Sequence, residues 1–113
     1  MFTEDQRQRI VELFDAFCEG RVPIMARDQI ALQYTIERHD VVLFEKRPVF
    51  NQPGKWVNCN VAKFRWNASR DTWSLLWRDR DSLWHHYDAG APSDRLEVQL
   101  DEVDRDPTGI FWG

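Results

Sequence analysis

Between residues 30 and 36 every second side chain is large and apolar: Ile30, Leu32, Tyr34 and Ile36 alternate with Ala31, Gln33 and Thr35. A period of two puts all four on one face of an extended strand and leaves the other face wet, a pattern no helix can satisfy. The same alternation returns after short turn signals. His39-Asp40 leads into Val41-Val42-Leu43-Phe44, β-branched and aromatic enough to fold back as a second strand. Pro48 cannot donate to a ladder, so residues 45–48 are expected at a sheet edge or outside the sheet, and Asn51-Gln52-Pro53-Gly54 reads as a loop. A third strand is expected from Val61 to Trp66, with Ala62, Phe64 and Trp66 on one face and Val61, Lys63 and Arg65 on the other. Trp73, Leu75 and Trp77 share a face of a fourth, and Asp79-Arg80-Asp81-Ser82 turns the chain into Leu83-Trp84-His85-His86-Tyr87. Consecutive strands with connections this short pair as an antiparallel meander.

Helical spacing brackets the sheet. Thr3 stands three residues before Gln6, the interval of a capping box, and Ile10, Leu13, Phe14 and Phe17 follow at helical intervals up to Gly20. Glu12, Asp15 and Glu19 lie on the opposite face, expected in water, and Arg21-Val22-Pro23 ends the helix. Near the other end Ser93 is placed to cap a second helix, with Asp94 and Glu97 where its dipole favours acids, Leu96, Leu100 and Val103 as its stripe, and Pro107 as its stop. The run Ile110-Phe111-Trp112 would be a sticky patch if left in water, so it is expected to strap back onto the fold. The expectation is an α+β protein: an N-terminal helix, a four- or five-stranded antiparallel meander, a C-terminal helix and an apolar strap, in one domain over residues 1–113.

Charge is distributed unevenly. Residues 1–20 sum to −3, 21–40 to 0, 41–87 to +4 and 88–113 to −5, so a basic middle lies between acidic ends within a net −4. The opening residues show no basic segment leading into an apolar one, and no apolar run approaches membrane-spanning length, so the expectation is a cytoplasmic protein without a membrane partner. Cys18 and Cys59 are two reduced thiols on this reading, since their spacing is unlike C-x-x-C.

The stretch from Val61 to Trp66, Trp73, Trp77-Arg78-Asp79-Arg80, Trp84-His85-His86-Tyr87, and Glu102-Val103-Asp104-Arg105-Asp106-Pro107-Thr108-Gly109-Ile110-Phe111-Trp112-Gly113 resembles an uncharacterised bacterial family, domain of unknown function 3024. The resemblance spans nearly the whole chain and is strongest in the Trp-rich strands and the last eight residues. It implies a small stand-alone bacterial protein and carries no catalytic residue with it.

Chemistry-bearing clusters are few. His85 and His86 are adjacent on a strand and point to opposite faces, so they do not grip one metal together, and neither HxxE nor CxxC spacing supplies other ligands. An enzyme would draw on His85 or His86 with Asp79, Asp81 or Asp88. No G-x-S-x-G occurs, and the five glycines are scattered singly, unlike a phosphate cradle, so no cofactor is expected. The pattern favours a non-catalytic binding or interaction module. Lys63, Arg65 and Arg78, with His86 if Trp84 shares its outward register, are the candidate ligand-binding residues; basic groups interleaved with aromatics suit an anionic ligand such as single-stranded nucleic acid. Two competing expectations remain: the acidic second helix lies over these basic strands and neutralises them, or the protein docks a protein partner or a second copy through an exposed sheet edge or its Ile110-Phe111-Trp112 tail.

Overall fold

The computed structural model describes residues 1–22 and 30–112. Helix α1 spans Glu4–Arg21, strands β1 Ala31–Ile36, β2 Asp40–Pro48, β3 Trp56–Asn67, β4 Thr72–Arg78 and β5 Trp84–His86 follow, and helix α2 spans Leu96–Arg105. The five strands form one antiparallel sheet in sequence order, the expected meander. The expected stop at Pro23 and the residue before the first alternation, Gln29, lie outside the described residues.

Thr3 caps α1 as its sequence foretells: its Oγ accepts the Gln6 amide at 3.1 Å while the Gln6 side chain accepts the Thr3 amide at 2.9 Å. Ile10 and Phe14 are the helix residues driven deepest into the core, and the Phe14 ring meets Phe64 edge-on at 5.0 Å. One apolar cluster then joins α1, α2, the strap and one face of the sheet, through Val41, Leu43, Ala62, Phe64, Trp73, Leu75, Leu96, Leu100 and Val103. Both helices therefore cover the same face, and among the described residues the other face carries no helix.

Three local expectations are corrected. Ser93 does not cap α2; it exchanges backbone hydrogen bonds with Trp73 (2.6 and 3.0 Å), extending the sheet by one bridge, and the helix begins later with Arg95 at its cap and no side-chain cap bond. Asp94 accordingly precedes the first turn, and Glu97 alone supplies its negative charge. Val61 does not face away from the core. The β2–β3 register shifts between Leu43 and Phe44, so that Leu43 pairs with Ala62 and Phe44 with Asn60, and the extra residue, Val61, turns inward beside Ala62 and is buried. Finally, β3 starts at Trp56 rather than Val61, as half of a long hairpin with β2.

The last residues do strap back. Asp106 takes the left-handed conformation at the end of α2 (φ 46°), and its two carboxylate oxygens accept the Phe111 and Trp112 amides at 3.1 and 2.9 Å. Gly109, at φ 73°, makes the turn between them. Phe111 is buried against the Tyr87 ring, and the Trp112 indole donates to the Val103 carbonyl at 2.7 Å with the Arg21 guanidinium over its ring.

Candidate functional site

Register decides what the helix-free face carries. Thr35, Val42, Lys63, Leu76 and His86 form one row across all five strands; Gln33, Phe44 and Asn60 form a neighbouring row; Arg65 and Ser74 are paired, as are Arg78 and Trp84. The four candidates Lys63, Arg65, Arg78 and His86 thus lie on one face, which is the uncovered one. Trp84 and Phe44, both half-buried, add two rings to it.

The cations are not equivalent. Lys63 holds its ammonium 4.8 Å from the centre of the Trp84 ring, a cation–π contact that keeps both groups at the surface. Arg65 is engaged by Asp40 with two bonds, Nε to Oδ1 at 3.0 Å and a terminal nitrogen to Oδ2 at 3.3 Å; the hydrogen bond to Asp40 raises its pKa against the opposing effect of burial. It is a neutralised cation. Arg78 donates to Ser82 Oγ at 3.3 Å, and its Nε is sheltered from solvent without an acceptor among the described residues. His86 is exposed at the sheet edge, where it borders a cleft with Ser74 and residues 87–92.

Between Lys63, Trp84 and the β2–β3 hairpin lies a shallow cleft of about 230 Å³ lined by Thr35, Glu37, Val42, Phe44, Asn58 and Asn60. Its floor is apolar and its rim mixes two carboxamides, a hydroxyl, one cation and one carboxylate. Such a rim can match both donors and acceptors of a flat heterocycle. Sequence reasoning missed Asn58, Asn60 and Phe44 as site residues. The signal was there: Trp56, Asn58 and Asn60 alternate with Val57 and Cys59 straight after a Pro53-Gly54 turn, matched in length to residues 44–48 on the facing strand.

The expected neutralising lid is absent from this face. The acidic groups of α2 are committed elsewhere: Glu97 pairs with Arg9 (2.8 Å) and Arg95 (3.2 Å), Asp104 with Arg21 (2.5 Å), Asp101 with Arg105 (3.0 Å), and Glu102 accepts the Tyr87 hydroxyl at 2.6 Å. The helix sits against β4 and α1 on the covered face, so Lys63 and Arg78 gain no counter-charge from it.

His85 and His86 point to opposite faces. His85 stacks on Trp77 at 4.8 Å, and its Nε2 meets Asp79 Oδ2 at 2.6 Å. Asp79 Oδ1 accepts the Asp81 and Leu83 amides at 2.8 and 3.0 Å, and the carboxyl is held below its ordinary pKa by the His85 hydrogen bond first and these amides next. The pair is a brace for the β4–β5 turn, and His85 lines neither of the clefts just described. Among the described residues no three His, Cys, Asp or Glu side chains gather to hold a metal. Cys18 and Cys59 are separate, half-buried free thiols; burial first, and Asp15 second, push the Cys18 pKa up to about 11, away from a reactive thiolate. A further cleft of about 580 Å³ lies between α1 and β1, but its two walls are joined in sequence by residues 23–29, outside the described residues, and no site is assigned there.

The fold and this face define a small α+β sheet protein with both helices on one side and an open aromatic and cationic surface on the other. The chain belongs to the family described as Domain of unknown function (DUF3024), which matches residues 2–113. No curated protein and no solved structure matches it. No helix among the described residues is long and apolar enough to cross a membrane.

Proposed function

We propose that this protein is a non-catalytic binding module of the bacterial cytoplasm whose helix-free sheet face receives a single-stranded nucleic acid. The observation that supports this most is Lys63 poised over the Trp84 ring at the mouth of a cleft floored by Val42 and Phe44 and rimmed by Asn58 and Asn60. A base stacks on a ring there, a phosphate meets Lys63 or Arg78, and the carboxamides address the base edge. Arg65 contributes less, because Asp40 already holds it, and Glu37 on the rim disfavours a second phosphate close by.

The test is fluorescence anisotropy of short single-stranded DNA and RNA with the purified protein at low and physiological salt. Binding is expected to weaken with salt, to lose about one unit of salt slope in Lys63→Ala, and to lose about 1–3 kcal/mol in Trp84→Ala. No binding at low salt, or binding untouched by both substitutions, rejects the reading.

A further inference from the structure

The β2–β3 hairpin outruns its neighbours. On one side β1 pairs with β2 only as far as Lys46; on the other, β4 pairs with β3 only from Ala62 onward. The outer edge of residues 56–60, the side away from β2, therefore meets no strand among the described residues, and it is bounded at one end by β4 and at the other by the turn of residues 51–54. Its ladder phase is fixed by the Val49 amide, which donates to the Lys55 carbonyl at 2.9 Å. Antiparallel pairs alternate, so residues 57 and 59 turn their backbone groups toward β2, while the amides and carbonyls of Trp56, Asn58 and Asn60 point outward. Pro48, opposite Trp56, fits the same phase: its missing amide would have faced away from β3.

Free edges are normally blunted by charge, proline or a covering element, since an open row of donors and acceptors templates another strand. Here the sequence Trp56-Val57-Asn58-Cys59-Asn60 has no charged residue, and Trp56 and Val57 are each 46% exposed. From this edge we infer that β3 pairs antiparallel with β3 of a second copy of this chain, about a two-fold axis beside Val57.

Three observations select a second copy as the occupant. The slot is short and closed by β4, so an entering strand must end in a turn, as this same hairpin does at residues 51–54. Two-fold pairing brings no like charges together along the uncharged stretch. Third, in this arrangement the arm of one copy fills the lane of β4 and β5 in the other, which directs its tip at the other's β4–β5 turn. The tip carries Phe50, 87% exposed, and Lys55; the turn carries Leu83, 60% exposed, and the exposed Asp81. Phe50 is thereby aimed at Leu83 and Lys55 at Asp81, while Arg80 of the same turn is exposed to solvent. Centring on Val57 makes Trp56 exchange hydrogen bonds with Asn58 of the other copy and sets Val57 against its own equivalent. An axis shifted toward Asn60 would drive Lys55 into the end of β4.

Sedimentation velocity on the full chain across a concentration series is expected to show a dimer. Val57→Lys sets two ammonium groups face to face and raises the dissociation constant about tenfold or more. Asn58→Pro deletes an outward amide that no intramolecular ladder bond uses, so it is expected to give monomers with an unchanged circular-dichroism spectrum. In a Cys59→Ser background, Val57→Cys places two thiols across a non-hydrogen-bonded pair, about 4.5 Å between Cα atoms, and mild oxidation is expected to trap a covalent dimer. Ala68→Cys, on the β3–β4 turn, is the control for random crosslinking. A monomer at every concentration, or a dimer that survives both Val57→Lys and Asn58→Pro, overturns the inference. Nucleic-acid binding is read separately, since Lys63→Ala and Trp84→Ala leave this edge intact.

Discussion

The two faces of the sheet stay dry by different means. On the covered face, Phe64 and Leu43 lose all contact with water because α1 lies across them, helped by α2 and the strap. On the open face Val42 and Leu76 are also buried, at 7% and 4% exposure, yet no helix among the described residues covers them and they stand apart from the main cluster. Their cover comes from long neighbours in the plane of the sheet: Thr35 and Lys63 flank Val42, and Lys63 and His86 flank Leu76. A lysine stem serves here as a roof tile, its methylenes on the sheet and its charge in water. The comparison separates residues whose loss removes structure from residues whose loss removes only a surface.

The sharpest way to break that contrast is to empty one position on each face. Phe64→Ala is expected to cost about 3–5 kcal/mol in urea denaturation, because α1 cannot collapse into the hole left beside Phe14. Leu76→Ala is expected at or below the lower end of about 2–5 kcal/mol, since Lys63 and His86 can settle into the gap and admit water. Equal costs would show the open face to be a second core rather than a surface.

Next in size is the strap, which seals one end of the covered face. Asp106→Ala removes the acceptor of the Phe111 and Trp112 amides, both in a partly buried setting, and is expected to cost about 1–3 kcal/mol and to raise the exposure of Trp112 to fluorescence quenchers. Phe111 is buried there, and Ile110 and Trp112 are half-buried.

Smaller still are the ion pairs of the open face. Arg65→Ala is expected to change stability by about 1 kcal/mol or less, because the arginine end of its pair with Asp40 is well exposed. The same urea titration that reads Phe64→Ala checks it. The least effect, one that depends on pH, belongs to the turn brace. Asp79 has its pKa lowered in the fold, so its contribution is present above the ordinary carboxylate range and is lost as pH falls through the lowered value. The melting-temperature difference between wild type and Asp79→Asn is expected to be present at neutral pH and to vanish on acidification; a difference that grows in acid would contradict the brace.

Much of this was written locally. The Thr3–Gln6 capping box, the helical spacing of Ile10 and Phe14, and the alternations through 30–36, 62–66 and 73–77 each state a backbone conformation within a few residues, and the meander follows from connections too short for anything else. The shared face of Lys63, Arg65, Arg78 and His86 was legible for the same reason, once the strand pairs were in register. Trp56, Asn58 and Asn60 were not, because an exposed hairpin arm mixes apolar and polar residues on both sides and its extent depends on a partner strand many residues away. Ser93 has the chemistry of a cap, but the backbone of Trp73, far off in sequence, claimed its amide and carbonyl first.

The kind, order and approximate reach of the elements are therefore local properties of the chain, since periodicity, caps and turn residues act over a few bonds. Which face of the sheet the helices cover, where the bulge turns Val61 inward, and how far β3 runs past β4 are outcomes of the assembled fold. Those outcomes depend on pairing between strands and on which surfaces exclude the most water together, and no single stretch of chain holds that information.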